Sequence, residues 1–117
     1  MTPTGVPFVM YPVTDMARAV AFYGDSLGLK KSGLESEYWV EFDAGGTTFG
    51  IGNFEQCGKP GTAQSMSLEV ADMTAARADL TARGIESSDP FETQICFISM
   101  VRDPDGNQIW LHQSKPR

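Results

Sequence analysis

His112 is the only histidine in the chain, and so the only side chain whose ordinary pKa lies near neutrality. Near the end of the last strand-like run, it reads either as a general base or as a solvated surface residue. Glu69 lies in an alternating run over residues 66–70, where burial beside aromatic rings would raise its pKa and suit it to general-base work. The plainer alternative for Glu69 is a charge on the rim of a cleft. Cys57 and Cys96 form no C-x-x-C pair and read as two reduced thiols, with Cys96 buried and structural. A different chemistry, the stacking of rings, is offered by Phe8, Trp39 and Trp110.

These residues are positioned by elements that occur twice. Val13-Thr14-Asp15-Met16 is echoed by Val70-Ala71-Asp72-Met73, and each segment runs on to a glycine, Gly28 or Gly84. In both copies an apolar strand-like run (7–13, then 66–70) stops at an Asp that can cap the free N–H groups of a helix. Met16, Val20, Phe22 and Tyr23, and later Met73, Ala76 and Leu80, recur at the spacing of a helix with one buried face. The glycine that follows supplies a left-handed helix end.

Strand-like runs come next, at 29–34, 37–43 and 47–52, then at 85–87, 95–102 and 108–112. Ala44-Gly45-Gly46 and Asp103-Pro104-Asp105-Gly106-Asn107 have the composition of hairpin turns. The reading is one α+β domain over 1–117: a βαβββ repeat at about 6–53, a linker at about 54–63 and a second repeat at about 64–114, with a cleft expected on the concave side of the sheets.

Strand alternation then assigns faces. With Val9, Tyr11 and Val13 against the helix, Phe8, Met10 and Pro12 face the cleft, as do Ser65, Ser67 and Glu69 in the second copy. Gln108, Trp110 and His112 share a face on the last run, while Ile109 and Leu111 pack under the helices. Trp39 joins the cleft with Glu37 and Glu41 on its side, or lies on an exposed strand with alternating acids. For 95–102, apolar on both sides, the pattern leaves the facing set open. Gln108 and Ser67 could orient a ligand by hydrogen bonds, although neither needs one to be satisfied.

Bulk properties narrow the function. A 117-residue chain with 41% hydrophobic residues, 21% charged residues and a net charge of −6 is an ordinary acidic globular protein. Its nine basic residues are scattered, which argues against nucleic acid. No run of about 18 apolar residues exists to span a bilayer. The N-terminal stretch lacks the pattern of a signal peptide, so a cytoplasmic protein is expected, as a homodimer because small domains with exposed sheet edges tend to pair.

The segments DMARAVAFYGDSLGL (15–29) and RDPDGNQIWL (102–111) resemble the vicinal oxygen chelate superfamily, the glyoxalase/bleomycin resistance/dihydroxybiphenyl dioxygenase fold, and the likeness runs from about residue 8 to about 113. Metal-dependent members of that group hold a divalent ion with His, Gln or Glu side chains on the first and last strands of each repeat. The resemblance places those positions at Phe8, Gly50, Ser65 and Trp110, none of which is a ligand of that kind. It implies a non-metal-binding member with no cofactor.

The leading expectation is a metal-free protein that sequesters an aromatic or cationic small molecule, as bleomycin-resistance proteins do. Phe8, Met10, Trp39 and Gly50 would line the site from the first repeat, and Ser65, Ser67, Gln108 and Trp110 from the second. The alternatives are a metal-independent lyase or isomerase using Glu69 or His112, a metal-dependent glyoxalase-like lyase or dioxygenase, and an accessory domain whose cleft is filled by its own side chains.

Overall fold

The computed structural model describes residues 1–116, which gather into two compact units that divide after Pro60. The first unit runs β1 (Val9–Pro12), α1 (Met16–Val20), β2 (Lys30–Glu35), β3 (Trp39–Ala44) and β4 (Thr47–Gly52). The second repeats that order as β5 (Met66–Glu69), α2 (Met73–Ala82), β6 (Phe91–Glu92), β7 (Cys96–Arg102) and β8 (Gln108–Ser114). Each unit builds one four-stranded sheet, ordered β1-β4-β3-β2 or β5-β8-β7-β6. Parallel pairing of β1 with β4 and of β5 with β8 makes both sheets mixed, and the class is α+β.

Helix starts and stops follow the sequence signals. The Asp15 carboxylate accepts the Arg18 N–H at 3.0 Å and Asp72 accepts the Ala75 N–H at 3.0 Å, each satisfying a donor that the first helical turn leaves free. Both helices are left through a glycine at positive φ, Gly28 at 77° and Gly84 at 78°. After Val20 the first helix widens into a π-helical turn over Ala21–Ser26. That turn sends two consecutive rings inward: Phe22 and Tyr23 are both buried, with centroids 5.0 Å apart.

The two cores differ in character. Tyr11, Tyr23, Phe42 and Phe49 are almost fully buried, and Tyr23 and Phe49 lie 5.0 Å apart. Each such ring contributes on the order of 1.5–3 kcal/mol by leaving water. The second core is aliphatic and sulfur-rich, built from Met66, Met73, Leu80, Cys96, Val101, Ile109 and Leu111. It also buries a polar turn. Asn107, at 0% exposure, accepts the N–H groups of Gly61 (2.9 Å) and Ala63 (3.1 Å) and donates to Asp103 at 2.8 Å. Gly106, at φ 92°, lets the chain turn back between the two.

The structure corrects one element and adjusts others. Residues 85–87 form no strand; β6 lies at Phe91–Glu92 instead. Arg77 holds Ser87 at 3.1 Å, and the chain then follows the edge of β7 through Ser88, whose N–H donates to the Met100 carbonyl at 2.9 Å. Pro90 has no N–H with which to extend that ladder earlier. In the first unit β3 begins at Trp39, so Glu37 lies in the bend before the strand rather than on it. The stretch 53–63 contains a 3-10 turn, Glu55–Cys57, with Cys57 buried.

Candidate functional site

One face of each sheet carries the helix, and the other is open. In the first sheet, Val40 opposite Ile51 and Phe42 opposite Phe49 form the covered face. The open face therefore takes the alternate residues: Met10 beside Gly50, Pro12 beside Gly52, and Trp39 and Glu41 across from Gly52 and Gly50. Phe8 and Met10 are 41% and 40% exposed, whereas Pro12 is buried and Val9, expected against the helix, is 40% exposed at the strand's start.

The centre of this face is bare backbone with one ring laid across it. A Cβ added at Gly50 would fall 2.2 Å from Trp39 Cζ2, and one at Gly52 would fall 3.0 Å from Trp39 Cε3. Trp39 thus fills the space that a side chain at Gly50 would occupy, and shares that at Gly52 with Cys57, whose Sγ would lie 2.4 Å from an added Cβ. Its indole N–H donates to Glu41 at 3.0 Å, and Glu41 in turn lies over Gly33, where a Cβ would be 2.6 Å from its Oε1. Phe8 meets the indole edge-on with centroids 5.1 Å apart, and Phe54 flanks it at 6.3 Å. Gly33, Gly52 and Phe54 escaped the sequence reading. The signal for the two glycines was their place inside strands, which marks a close approach of another group.

The second sheet resolves the face of β7 that alternation left open. Ser99 and Val101 are buried on the helix side, while Ile98 pairs with His112 and Met100 with Trp110 on the open side. Ser67 pairs with Trp110, and Glu69 with His112, in the parallel ladder. Trp110 is 39% exposed, and Gln108 donates from Nε2 to the Met100 sulfur at 3.1 Å. Ser65 lies just before β5, exposed. Two shallow concavities of this unit lie elsewhere, one around Asp72, Met73, Phe97 and Gln113 and one around Arg77, Gly84 and Glu86; neither contains a predicted site residue.

Glu69 follows the plainer of its two readings, an exposed charge. Its carboxylate accepts the Ser114 N–H at 2.8 Å through Oε2 and meets His112 Nδ1 at 2.6 Å through Oε1. These bonds, the Ser114 N–H first and the imidazole second, hold its carboxyl below the usual carboxylate range. The group is exposed rather than buried under aromatic rings, so the raised pKa that would suit a general base is absent. Instead Glu69 is an ionised acceptor that fixes the histidine beside it.

The fold's metal positions do not fit an ion. Phe8, Gly50, Ser65 and Trp110 supply a phenyl ring, no side chain, a hydroxyl and an indole. At Gly50 the Trp39 ring already occupies the space into which a ligating side chain would grow. Among the described residues, no three His, Cys, Asp or Glu side chains converge as an ion would need.

Paired βαβββ units, with aromatic residues on the open sheet faces, define a protein of the vicinal oxygen chelate class. The chain belongs to the Glyoxalase/Bleomycin resistance protein/Dioxygenase superfamily, whose profile matches residues 5–111. It is similar to TnmS3, an antibiotic binding protein from Streptomyces sp. CB03234, at 27% identity and a TM-score of 0.84, over 98% of this chain and 99% of that one. A glyoxalase/bleomycin resistance protein from the same Streptomyces strain matches at 28% identity and a TM-score of 0.77, over 91% and 97%. A superfamily member from Sphaerobacter thermophilus DSM 20745 matches at 28% identity and a TM-score of 0.80, over 95% and 98%. No curated protein matches the chain. Among the described residues, no helix is long and apolar enough to cross a membrane.

Proposed function

We propose that this chain is a small-molecule binding protein that holds an aromatic or cationic organic ligand by stacking on the open sheet faces, without a metal or cofactor. The observation that carries this reading is Trp39 laid over Gly50, which puts a ring where the fold's metal-dependent members would carry a ligand. Phe8, Met10 and Trp39 serve the first face, and Ser67, Gln108 and Trp110 the second, with Ser65 at its border. Similarity to a protein described as antibiotic binding supports sequestration as the mode of action. The net charge of −6 suits a cationic guest and disfavours nucleic acid. Two free, buried cysteines accord with a reducing cytoplasm, and a homodimer with the common symmetry of small domains.

A thermal-shift screen of planar aromatic and cationic compounds tests the proposal, because a ligand that binds only the folded state raises Tm. Hits that lose their shift in Trp39→Ala or Trp110→Ala are expected. A broad library with no hit, or hits indifferent to both substitutions, counts against it.

A second reading, a metal-independent lyase or isomerase, is favoured by one observation: the 2.6 Å contact between Glu69 and His112, an arrangement that can hold an imidazole for proton transfer. Turnover of a candidate substrate that disappears in His112→Gln while ligand affinity persists would establish it.

A further inference from the structure

The open face of the second sheet carries a polar pair with a defined donor and acceptor beside a stacking ring. Glu69 Oε1 lies 2.6 Å from His112 Nδ1, and Glu69 Oε2 accepts the Ser114 N–H at 2.8 Å. An ionised carboxylate can only accept, so Nδ1 must carry the proton of this bond. With its other oxygen tied to the Ser114 backbone, the carboxylate is held in place to enforce that choice. The neutral ring is then the Nδ1–H tautomer, and its lone pair sits on Nε2. No hydrogen bond to Nε2 is made among the described residues. The ring is partly open, its side chain 30% exposed.

The neighbours on this face are apolar or already engaged, apart from the Ser67 hydroxyl beside Trp110. Across β7 from His112 is Ile98, and across from Trp110 is Met100. The cation nearest in register, Arg102 opposite Gln108, donates to the Gly106 carbonyl at 3.0 Å. Trp110 and His112 point the same way, two residues apart on β8, which separates their attachment points by roughly 6.6 Å. A fused two-ring aromatic stacked on Trp110 would bring a ring substituent to the imidazole.

Resting on the reading of this face as a ligand surface, we infer that His112 is a specificity-determining residue: in its neutral form Nε2 accepts a hydrogen bond from the hydroxyl of an aromatic ligand stacked on Trp110, and Glu69 is the positioning residue that holds the neutral ring's proton on Nδ1. The ligand class is therefore the hydroxylated arenes, of phenol or naphthol type. Donor-less arenes of the same shape bind more weakly, because they leave the imidazole lone pair buried without a partner.

Two measurements test this on the intact protein. With a single histidine in the chain, the 15N shifts of a labelled sample at about pH 8.5, above the usual imidazole range, report its tautomer without ambiguity. The expected signature is Nδ1–H, with the Nε2–H form gaining population in Glu69→Gln. Calorimetric titration with 2-naphthol and with 2-methoxynaphthalene, similar in shape but lacking the donor, should give a preference of several-fold to tenfold for the naphthol. That preference should vanish in His112→Phe, and Nε2 should shift on binding. A dominant Nε2–H tautomer in the wild type, or equal affinity for both probes, overturns the inference and leaves the stacking surface standing. Failure of both probes to bind the wild type removes the stacking surface itself, and the inference with it.

Discussion

Trp39 and Gly50 occupy one site between them: the indole of the first stands where the side chain of the second would be, with Cζ2 2.2 Å from the place of its absent Cβ. The pairing makes the tryptophan part of the sheet's surface rather than a loose arm upon it. Glu41 fixes the indole N–H and Phe8 meets the ring in a T-shaped contact, so the ring is presented to a guest with little freedom left to lose.

Gly50→Ala should therefore destabilise the protein by about 1–3 kcal/mol, the usual range for an overfilled site. Urea denaturation checks it. In a Trp39→Ala background the same change should cost much less, since the three nearest atoms it meets all belong to that ring. Equal costs in both backgrounds would contradict the packing described.

Asn107→Ala should be among the more damaging polar substitutions, at roughly 2–3 kcal/mol. It strands the Gly61 and Ala63 N–H groups and takes one donor from Asp103 near or inside the core. The readout is the denaturation midpoint, and amide exchange at Gly61 and Ala63 should quicken along with it.

Helix capping gives a smaller effect. Asp72→Ala removes the acceptor of the Ala75 N–H and should cost about 1 kcal/mol, whereas Asp72→Asn or Asp72→Ser should retain most of the stability. Thermal melts of the three variants order them.

Glu69 supplies a pH dependence whose sign is fixed. Its carboxyl titrates lower in the folded chain than in the unfolded one, where 4.5 is the reference, because Ser114 and His112 favour the charged form. Its stabilisation is thus complete above the unfolded pKa and fades as acid takes the pH down through the folded value. Wild type should exceed Glu69→Gln in stability at pH 7, and the gap should close in strong acid. A gap that widens on acidification would show the opposite shift.

Much of this architecture was legible in the sequence because its signals are local. Asp15 and Asp72 mark helix starts, Gly28 and Gly84 mark their ends, and the alternation of Met10 with Tyr11 and of Ile109 with Trp110 sorts faces without any long-range knowledge. What eluded it depends on partners distant in the chain. Ser88 meets Met100 only after β7 is in place, so β6 could not be located from residues 85–92 alone. The exposure of Glu69 and its bond to Ser114 likewise depend on how β8 lies beside β5, and pattern alone left open whether it was a buried base or a rim charge. The role of Asn107 was hidden for the opposite reason: its turn composition announced a hairpin and said nothing of the segment 61–63 that it anchors.

The outermost strand of the first sheet has a bearing on how the protein behaves in crowded solution. β2 is exposed along all six of its residues, and its register with β3 slips between Lys31 and Glu35. Such an unpaired rail of N–H and C=O groups invites a stranger's strand to zip on. Here the cations of Lys30 and Lys31 and the kink just beyond them spoil the fit, so each additional strand would have to strip water from a charge before the ladder could grow. Replacing both lysines with valine would leave the fold untouched and open the door to fibrous growth.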